Sequence, residues 1–480
     1  MKAEIISTEK LFEFPLPDKE QLQKLLAEEL RQNSTKFVVL DDDPTGVQTV
    51  HDVSVFTDWS VESMTEGFKE DSRLFYILTN SRGMTEEETT KIHKEILASV
   101  AEAARITGKS YQFISRGDST LRGHYPLETQ LLREGLEKQG EVIAGEILLP
   151  YFKEGGRFTL QNTHYVKYGD QLVPAGETEF ARDRTFGYRA SSIPEYVEEK
   201  TKGAYKAEEV TCISLKDLRE QNFEKICQQL REVKDFGKVC VNCCDDCDLM
   251  VFCIALYRVM REPDHKGSFL YRTAAGFVKI AGGISDQPLL TREQMVTTQK
   301  DVGGIVVVGS HTAKTTAQLK ELLNLHTVVP VEFHSGIVLQ GKEAFEQEIA
   351  RCVSLEEDLI RQGKTVVCFT ERKLLELEGD TKESALLRSV AISDGVQRLV
   401  GDLKVHPAFV VAKGGITSSD VGTKALKVRK AKVLGQIQPG IPVWQTGEES
   451  RFPEIPYVIF PGNVGEEQTL RKAVEILQGI

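Results

Sequence analysis

Long apolar runs are missing from this chain of 480 residues. A helix that crosses a membrane needs about 18 or more predominantly apolar residues in a row, and no stretch of the sequence reaches that length. The first residues, MKAEIISTEKLFEF, also lack an apolar segment followed by a small-residue cleavage site, the pattern of a secretory signal. We therefore expect a cytoplasmic protein without a membrane partner.

An excess of basic residues is missing as well. Lys and Arg number 60 against 72 Asp and Glu, the formal net charge is -12, and the two signs are interspersed. Binding to nucleic acid requires Lys and Arg that are gathered on one face. The composition argues against a nucleic-acid partner but still allows a small anion to bind in a local basic pocket.

The nine cysteines do not form the pattern of a disulfide-rich domain. The segment CVNCCDDC, with Cys240, Cys243, Cys244 and Cys247, contains two consecutive CxxC spacings, but no further pair follows at the distance that a zinc finger needs. We interpret these residues as free cysteines at the end of a strand. A local zinc site is the alternative.

Strands and helices alternate along most of the chain, and this order predicts parallel sheets covered by helices. The length and the 40% apolar content are sufficient for two domains. The segment ISDQPLLTREQMVTTQKDVGG interrupts the alternation with Pro, Asp and Gly. We predict two α/β domains, over residues 1–285 and 300–480, each with a mainly parallel sheet flanked by helices, and an active site in the cleft between them.

Three carboxylates follow one apolar strand in FVVLDDDPTG, at residues 41 to 43. Adjacent carboxylates repel one another, so a compensating partner is expected. Pro44 and Gly46 also make a simple turn a reasonable interpretation. Further charged loops follow other strands of the first domain, and open α/β sheets bind their ligands beyond the carboxyl ends of the strands. Such loops supply Arg82, Arg116, Asp118, Arg122 and Arg157.

These side chains suit a small hydroxylated acid, because Arg holds carboxylates in a bidentate manner and Asp accepts hydrogen bonds from hydroxyl groups. Structural alternatives stay open for several of them. Arg82 can cap a helix, Arg116 and Arg122 can form an ion-pair cluster with Asp118, and His164 can be a hydrogen-bonded structural histidine.

Three loops of small residues follow strands of the second domain, in GSHTAKTT, AKGGITSSD and PGNVG. Such a loop at a helix N-terminus exposes backbone N–H groups that suit phosphate, and Lys314 adds a cation. The first loop is not a Walker sequence, because Ala313 stands where the Gly before Lys is required. Any one of these loops can be only a tight turn, but three together favour a polyphosphate such as ATP.

The motifs DDDPTG, RGDSTLRGH, PYFKEGGRFTLQNTHYV, VVGSHTAKTTAQL, KGGITSSDV and FPGNVG occur in this order. In these motifs the chain resembles the four-carbon acid sugar kinase family along nearly its whole length. The resemblance implies an N-terminal substrate domain, a C-terminal nucleotide domain, and transfer of phosphate from ATP, with Mg²⁺, to acids such as threonate, erythronate or 3-oxo-tetronate at O4.

On this basis the expected catalytic residues are Asp42 and Asp43, of which one would accept the proton of the attacking hydroxyl. The expected substrate-binding residues are Thr45, Arg82, Arg116, Asp118, Ser119, Arg122, Arg157 and His164. The expected ATP-binding residues are Ser310, Thr312, Lys314, Lys413, Gly414, Gly415, Ile416, Thr417 and Gly462. No protein ligand of the metal can be assigned. Many family members carry an acidic residue where this chain has Ile416.

Two alternatives to this function are considered. One is an ATP-dependent kinase that acts on a different sugar acid, and the other is a sensor that binds a sugar acid or a nucleotide without catalysis. Ile416 is the feature that favours the sensor, while the three phosphate loops speak against it. The sequence leaves the oligomeric state open, and a homo-oligomer is one of the options.

Overall fold

The structure is a computed structural model, and it describes residues 4–265, 267–297, 302–372, 375, 377 and 380–480. The chain divides into two compact units. The first comprises the residues up to Gly46 together with Asp58–Asp286, and the second comprises Val47–Thr57 together with Gln287–Ile480. The predicted boundaries, 1–285 and 300–480, stay a prediction, and residue 300 lies outside the described residues.

The strands, in chain order, are β1 (Ile6–Ser7), β2 (Lys36–Asp41), β3 (Val53–Phe56), β4 (Leu74–Leu78), β5 (Tyr111–Arg116), β6 (Ile143–Leu149), β7 (Arg157–Leu160), β8 (Thr163–Tyr168), β9 (Gln171–Pro174), β10 (Thr211–Ile213), β11 (Gly237–Val241), β12 (Ser268–Thr273), β13 (Ile305–Val308), β14 (Val328–Phe333), β15 (Thr365–Thr370), β16 (Val410–Lys413), β17 (Lys430–Gln438), β18 (Ile441–Thr446) and β19 (Pro456–Phe460).

The α-helices are α1 (Lys19–Arg31), α2 (Val61–Lys69), α3 (Glu86–Thr107), α4 (Leu127–Lys138), α5 (Ile193–Lys200), α6 (Leu215–Arg219), α7 (Phe223–Arg231), α8 (Asp246–Arg261), α9 (Ala275–Ala281), α10 (Arg292–Met295), α11 (Ala313–Leu323), α12 (Lys342–Arg361), α13 (Lys382–Gly401), α14 (Gly415–Asp420) and α15 (Thr469–Gln478). Short 3-10 turns connect several of these elements, among them Pro44–Val47 and Ser81–Gly83.

The main sheet of the first unit is parallel, with the strand order β10-β11-β6-β12-β5-β2-β4. Every residue of β2 is buried. Its apolar run Phe37–Leu40 is therefore removed from water, and each such side chain contributes about 1.5–3 kcal/mol to stability. Helix α3 packs on α2 and α4, and α8 packs on α1, α7 and α9. A small antiparallel sheet, β1-β9-β8-β7, completes the unit.

The second unit also has a mainly parallel sheet. Strands β19, β16, β13, β15 and β14 lie side by side in parallel, and the antiparallel strands β18, β17 and β3 extend the sheet beyond β19. The two-domain α/β fold class predicted from the alternation is thus confirmed. The expectation that an active site lies in a cleft between the domains stays a prediction.

The clustered cysteines lie in β11 (Cys240), in the loop that follows it (Cys243 and Cys244) and in the first turn of α8 (Cys247), and all nine cysteines of the chain are free. Within the described residues, no group of three or more His, Cys, Asp and Glu side chains is arranged to hold a metal ion. Likewise, none of the helices in the described part of the chain is long and apolar enough to cross a membrane.

Glu356 of α12 is a carboxyl group that is completely buried in the second unit. Burial raises its pKa from 4.5 to about 8. As the pH rises between these two values, the unfolded chain releases this proton while the folded chain keeps it, so the carboxyl group increasingly destabilises the fold. The side chain of Glu356→Gln stays neutral. Its free energy of unfolding should therefore rise relative to that of the wild type by on the order of 1 kcal/mol per pH unit, as measured by urea denaturation across this range.

The neighbouring residue, Glu357, provides a matched control because its pKa is shifted in the opposite direction. Although burial would raise the pKa of Glu357, hydrogen bonds from the Lys404 backbone and from Arg361 hold that pKa below its usual value. Glu357→Gln should therefore lose stability relative to the wild type as the pH rises through the carboxyl range. If both variants changed with pH in the same direction, the raised pKa of Glu356 would be wrong.

Candidate active site

The three consecutive carboxylates lie at the carboxyl end of β2, the strand between β5 and β4 in the first unit's sheet. Asp41 is the last residue of the strand, and its carboxylate lies against Gly46 so closely that a Cβ on Gly46 would be 2.0 Å from Asp41 Oδ2. Only glycine fits there, which explains the end of the DDDPTG motif. Asp41 Oδ1 accepts a hydrogen bond from Arg116 Nη1 at 3.0 Å, while burial raises its pKa to about 7.

Arg82 is the compensating partner of the next two carboxylates. It lies in the 3-10 turn after β4, and it binds Asp42 in a bidentate manner, with Nη2–Oδ1 at 2.6 Å and Nε–Oδ2 at 3.1 Å. Its Nη1 donates to Asp43 Oδ2 at 3.2 Å and lies 4.0 Å from Asp118 Oδ1. Its partners are therefore acidic side chains rather than helix-end carbonyl groups.

Asp42 and Asp43 have different environments although they are adjacent. The side chain of Asp42 is 2% exposed, and burial raises its pKa against the opposing charge of Arg82. The side chain of Asp43 is 18% exposed. Burial would raise the pKa of Asp43 too, but the charge of Arg82 and hydrogen bonds from Thr45 hold it below its usual value. Asp43 therefore has the lower pKa and is the more accessible of the two.

The loop after β5 supplies a second ion pair. Arg122 Nε donates to Asp118 Oδ2 at 2.8 Å, and the Thr120 hydroxyl also donates to this oxygen. Burial would raise the pKa of Asp118, but the charges of Arg82 and Arg122 hold it well below the usual range. Through Arg82, this loop and the loop after β2 belong to one charged cluster.

His164 of β8 lies behind this loop and is completely buried. Its Nδ1 is 3.0 Å from Thr159 Oγ1, and its Nε2 is 2.7 Å from the carbonyl oxygen of Ser119. Burial lowers its pKa to about 4, so the ring is neutral near pH 7. Because both ring nitrogens have protein partners, the arrangement favours the structural alternative, in which His164 holds the backbone at Ser119.

Arg157, the first residue of β7, has unused hydrogen-bonding capacity, as does Arg116 through its buried Nε. Its Nη1 donates to the carbonyl of Gly155, whereas its Nε is buried and has no hydrogen-bond partner in the part of the chain that the structure describes. The Cζ atoms of Arg157 and Arg122 lie 5.3 and 5.1 Å from the centre of the Phe180 ring. Two guanidinium groups on one ring form a site suited to an anion.

Sequence reasoning missed two buried residues beside this cluster, Arg272 and Glu128, which form an ion pair with each other. Arg272 interrupts the apolar strand β12 in SFLYRT, and a charged residue in a buried strand is a signal that a partner exists. Phe180 was also missed as an individual residue. Its position in the ETEFARD segment gives no sign that two arginines would contact its ring.

The three small-residue loops of the second unit follow β13, β16 and β19, which are adjacent parallel strands. The Thr315 hydroxyl donates to Ser310 Oγ at 2.9 Å and lies 3.3 Å from the carbonyl oxygen of Gly462. The Thr312 side chain caps α11 by accepting from the Thr315 backbone at 3.2 Å. A Cβ built on Gly414 would be 3.1 Å from Ser310 Cβ. The structure therefore brings all three loops together.

Basic side chains surround these loops. Lys413 is buried, and its Nζ donates to the carbonyl oxygens of Pro461 at 2.6 Å and Gly462 at 3.2 Å. Burial, reinforced by the charge of Lys314, lowers the pKa of Lys413 to about 7. Sequence reasoning missed Arg372, whose Nη2 donates to the carbonyl oxygen of Ser310 at 2.6 Å. Its position directly after β15 and Glu371 was the available signal.

The second loop continues directly into α14, which contains Gly415, Ile416 and Thr417. The Ile416 side chain is 74% exposed, whereas Thr417 is buried. An exposed isoleucine on a phosphate-type loop provides an apolar surface but no charge. The hydroxyl groups, loop N–H groups and basic side chains here fit a polyphosphate, while the described residues form no metal cluster of their own.

Comparisons with known proteins agree with this division. Residues 37–280 match the family model of the sugar-binding N-terminal domain, and residues 305–470 match that of the nucleotide-binding C-terminal domain. The first match contains the carboxylate and arginine cluster, and the second contains the three loops. A search of the curated proteins found no match.

Two solved structures are similar in fold. A Salmonella typhimurium LT2 protein, described provisionally as a tRNA synthase, is 15% identical with a TM-score of 0.65, over 91% of this chain and 98% of that one. The Haemophilus influenzae protein HI1011, assigned to family DUF1537, is 15% identical with a TM-score of 0.58, over 92% of this chain and 100% of that one. At this identity the likeness shows the fold alone.

Removal of the shared guanidinium should destabilise the first unit. Arg82→Gln leaves the carboxylates of Asp42 and Asp43 buried without their compensating charge, and breaking a buried pair in this way costs about 3–5 kcal/mol. Thermal and urea unfolding measure this loss. The matched control is Arg105→Gln, which removes an exposed pair with Glu102 and should unfold like the wild type. Equal stability of the two variants would contradict the compensating role of Arg82.

Proposed function

The chain belongs to the four-carbon acid sugar kinase family, and on this premise we propose that it transfers the terminal phosphoryl group of ATP to a hydroxyl of a four-carbon sugar acid. Threonate, erythronate and 3-oxo-tetronate are the proposed type of substrate, with O4 as the acceptor. The observation that carries the proposal is the presence in one chain of an Asp and Arg cluster within the sugar-binding match and of three joined phosphate-type loops within the nucleotide-binding match.

The carboxylate of the acid would bind to Arg122 and Arg157. Both guanidinium groups lie on Phe180, and the buried Nε of Arg157 has no partner among the described residues. Arg82 is a weaker candidate for direct binding, because two aspartates already occupy three of its nitrogens. We propose that Arg82 and Arg116 hold the aspartates in place, while Asp118 and Ser119 accept hydrogen bonds from the substrate's hydroxyl groups.

Asp43 is the proposed general base. It is ionised at neutral pH, and Arg82 Nη1 and the Thr45 backbone fix its two oxygens in direction. As the substrate hydroxyl attacks the terminal phosphorus of ATP, its proton would pass to the Asp43 carboxylate and ADP would leave. Asp42 is buried and bidentate with Arg82, so its proposed part is to orient that guanidinium rather than to accept the proton.

The phosphates of ATP would lie on the loops that carry Ser310, Thr312, Gly414 and Gly462. Loop N–H groups, the ammonium groups of Lys314 and Lys413 and the dipole of α11 would offset the negative charge that develops during transfer. Magnesium, when bound with the nucleotide, would supply further charge neutralisation, and because the described residues form no metal cluster of their own, its ligands would come mainly from the phosphates. Ile416 would contact an apolar part of the nucleotide.

The first test is ADP release from Mg-ATP by the purified protein with D- and L-threonate, D- and L-erythronate and the 3-oxo acid. One of these acids should stimulate ADP release, with the phosphorylated acid formed in equal amount. If a different sugar acid stimulates ADP release instead, the alternative of a kinase that acts on another sugar acid is supported. Tight binding of acid and nucleotide without any ADP release would favour the sensor and overturn the proposal.

The second test separates the two adjacent aspartates. Asp43→Asn should lower kcat by about 100- to 10 000-fold, the usual contribution of a general base, without loss of the folded state in circular dichroism and thermal unfolding. The matched control is Asp52→Asn, which alters an exposed carboxylate paired with Lys432 and should keep the wild-type kcat. A kcat of Asp43→Asn within a few-fold of that of the wild type would remove Asp43 from the mechanism.

A further inference from the structure

Arg272, at the end of β12, occupies the space between several segments of the acid-binding cluster without forming part of its surface. Its Nη1 donates to Ser115 Oγ at 2.9 Å and forms an ion pair with Glu128, while its Nη2 donates to the carbonyl oxygen of Arg122 at 3.2 Å. One guanidinium therefore holds together β5, the start of α4 and the loop between them.

Glu128 extends this connection to the turn after β4. Its carboxylate is buried, with Oε2 on Arg272 and Oε1 accepting from the Ser81 hydroxyl at 2.5 Å. Ser81 directly precedes Arg82 in the turn after β4. The pair Arg272–Glu128 is thus bonded to the two segments that carry Arg82 and Arg122.

The backbone of residues 117–123 packs closely against the same guanidinium. A Cβ on Gly117 would be 2.4 Å from Arg272 Cζ, and a Cβ on Gly123 would be 2.8 Å from Arg272 Nη2. Gly117 and Gly123 bracket Asp118, Ser119 and Arg122, so the two ends of this loop rest on Arg272. No other side chain atom lies as close to Gly117 as those of this guanidinium.

From these contacts we infer that Arg272, held by Glu128, is the positioning residue of the acid site: it sets where the 117–123 loop presents Asp118 and Arg122 to the substrate. Arg272 does not itself contact the acid. The inference rests on the proposed function to the extent that the ligand is a sugar acid. It goes beyond that function by assigning the placement of the binding groups to one buried ion pair.

Lysine cannot replace arginine in this role. The planar guanidinium reaches Ser115 and Glu128 through one nitrogen and the Arg122 carbonyl through another, whereas an ammonium offers a single point of attachment. Arg272→Lys keeps the charge beside Glu128 but releases the 117–123 loop. A displacement of about 1 Å in positioning groups can cost about 100-fold in rate.

The experiment measures acid and nucleotide binding separately, by titration calorimetry with the five four-carbon acids and with ATP, together with steady-state kinetics. Arg272→Lys should weaken acid binding and lower kcat/KM for the acid by about 100-fold, with ATP affinity unchanged. The matched control is Arg219→Lys, which alters another buried arginine of the first unit, paired with Asp248 at 2.6 Å. Arg219→Lys should lose thermal stability but keep the wild-type acid affinity.

Gly117→Ala is the second variant, and it keeps the ion pair while pushing the loop away from Arg272. It should weaken acid binding like Arg272→Lys, and the double variant should bind little worse than either single one, because both changes act on one contact. If Arg272→Lys does not fold, the acid affinity of Gly117→Ala alone tests the positioning role. Acid affinity unchanged in Gly117→Ala or Arg272→Lys, or an equal loss in Arg219→Lys, would overturn the inference.

The binding measurement also separates this inference from the kinase proposal. A wild-type protein that binds one of the acids but never releases ADP contradicts the kinase and still supports the positioning role, provided that Arg272→Lys loses the acid while Arg219→Lys retains it. A wild-type protein that binds none of the five acids would overturn the inference as stated, since there would be no acid site for Arg272 to position.

Discussion

One guanidinium makes it possible to bury three carboxylates that follow the carboxyl ends of β2 and β5. Arg82 lies within 4.0 Å of Asp42, Asp43 and Asp118, and Arg116 and Arg122 supply the remaining charge. Buried charges persist only when they are paired and hydrogen-bonded, so each loop of the cluster depends on the others. In this network the pKa of Asp42 is raised by burial, whereas the charge of Arg82 and the hydrogen bonds from Thr45 hold the pKa of Asp43 below its usual value. Chemistry and stability therefore rest on one network.

The basic side chains of the second unit have different partners from those of the first. Its three loops contain no buried carboxylate partner for Lys413, whose pKa falls to about 7 and whose ammonium instead donates to backbone carbonyl groups. A cation that has no carboxylate partner among the described residues is suited to a ligand that brings negative charge, and a nucleoside triphosphate does so. In the first unit, by contrast, Arg82, Arg116 and Arg122 have acidic partners, whereas Arg157 forms no ion pair within the described residues.

Prediction from sequence succeeded where the signal is local. The strand-loop-helix order identified the α/β class, and the loops after β2, β5, β13, β16 and β19 were recognised from short runs of residues. It failed where the partner is distant in sequence. Arg272 and Glu128 are 144 positions apart, and neither position alone shows that the two side chains meet. Arg372 and Phe180 were overlooked for the same reason, because their meaning depends on Ser310 and on two arginines elsewhere.

The sequence by itself determined that the chain has two α/β domains, that it belongs to its family, and which loops carry acids, arginines and glycines, because these properties reside in hydrophobic periodicity and in short motifs. Only the tertiary structure decided which arginine pairs with which aspartate, that both nitrogens of His164 are occupied, and that the 117–123 loop rests on Arg272. Those outcomes depend on the order of parallel strands, β12-β5-β2-β4, which places strand ends from distant parts of the chain side by side. Burial then shifts the pKa values of these side chains, and burial depends on the residues packed around a side chain rather than on its position in the sequence.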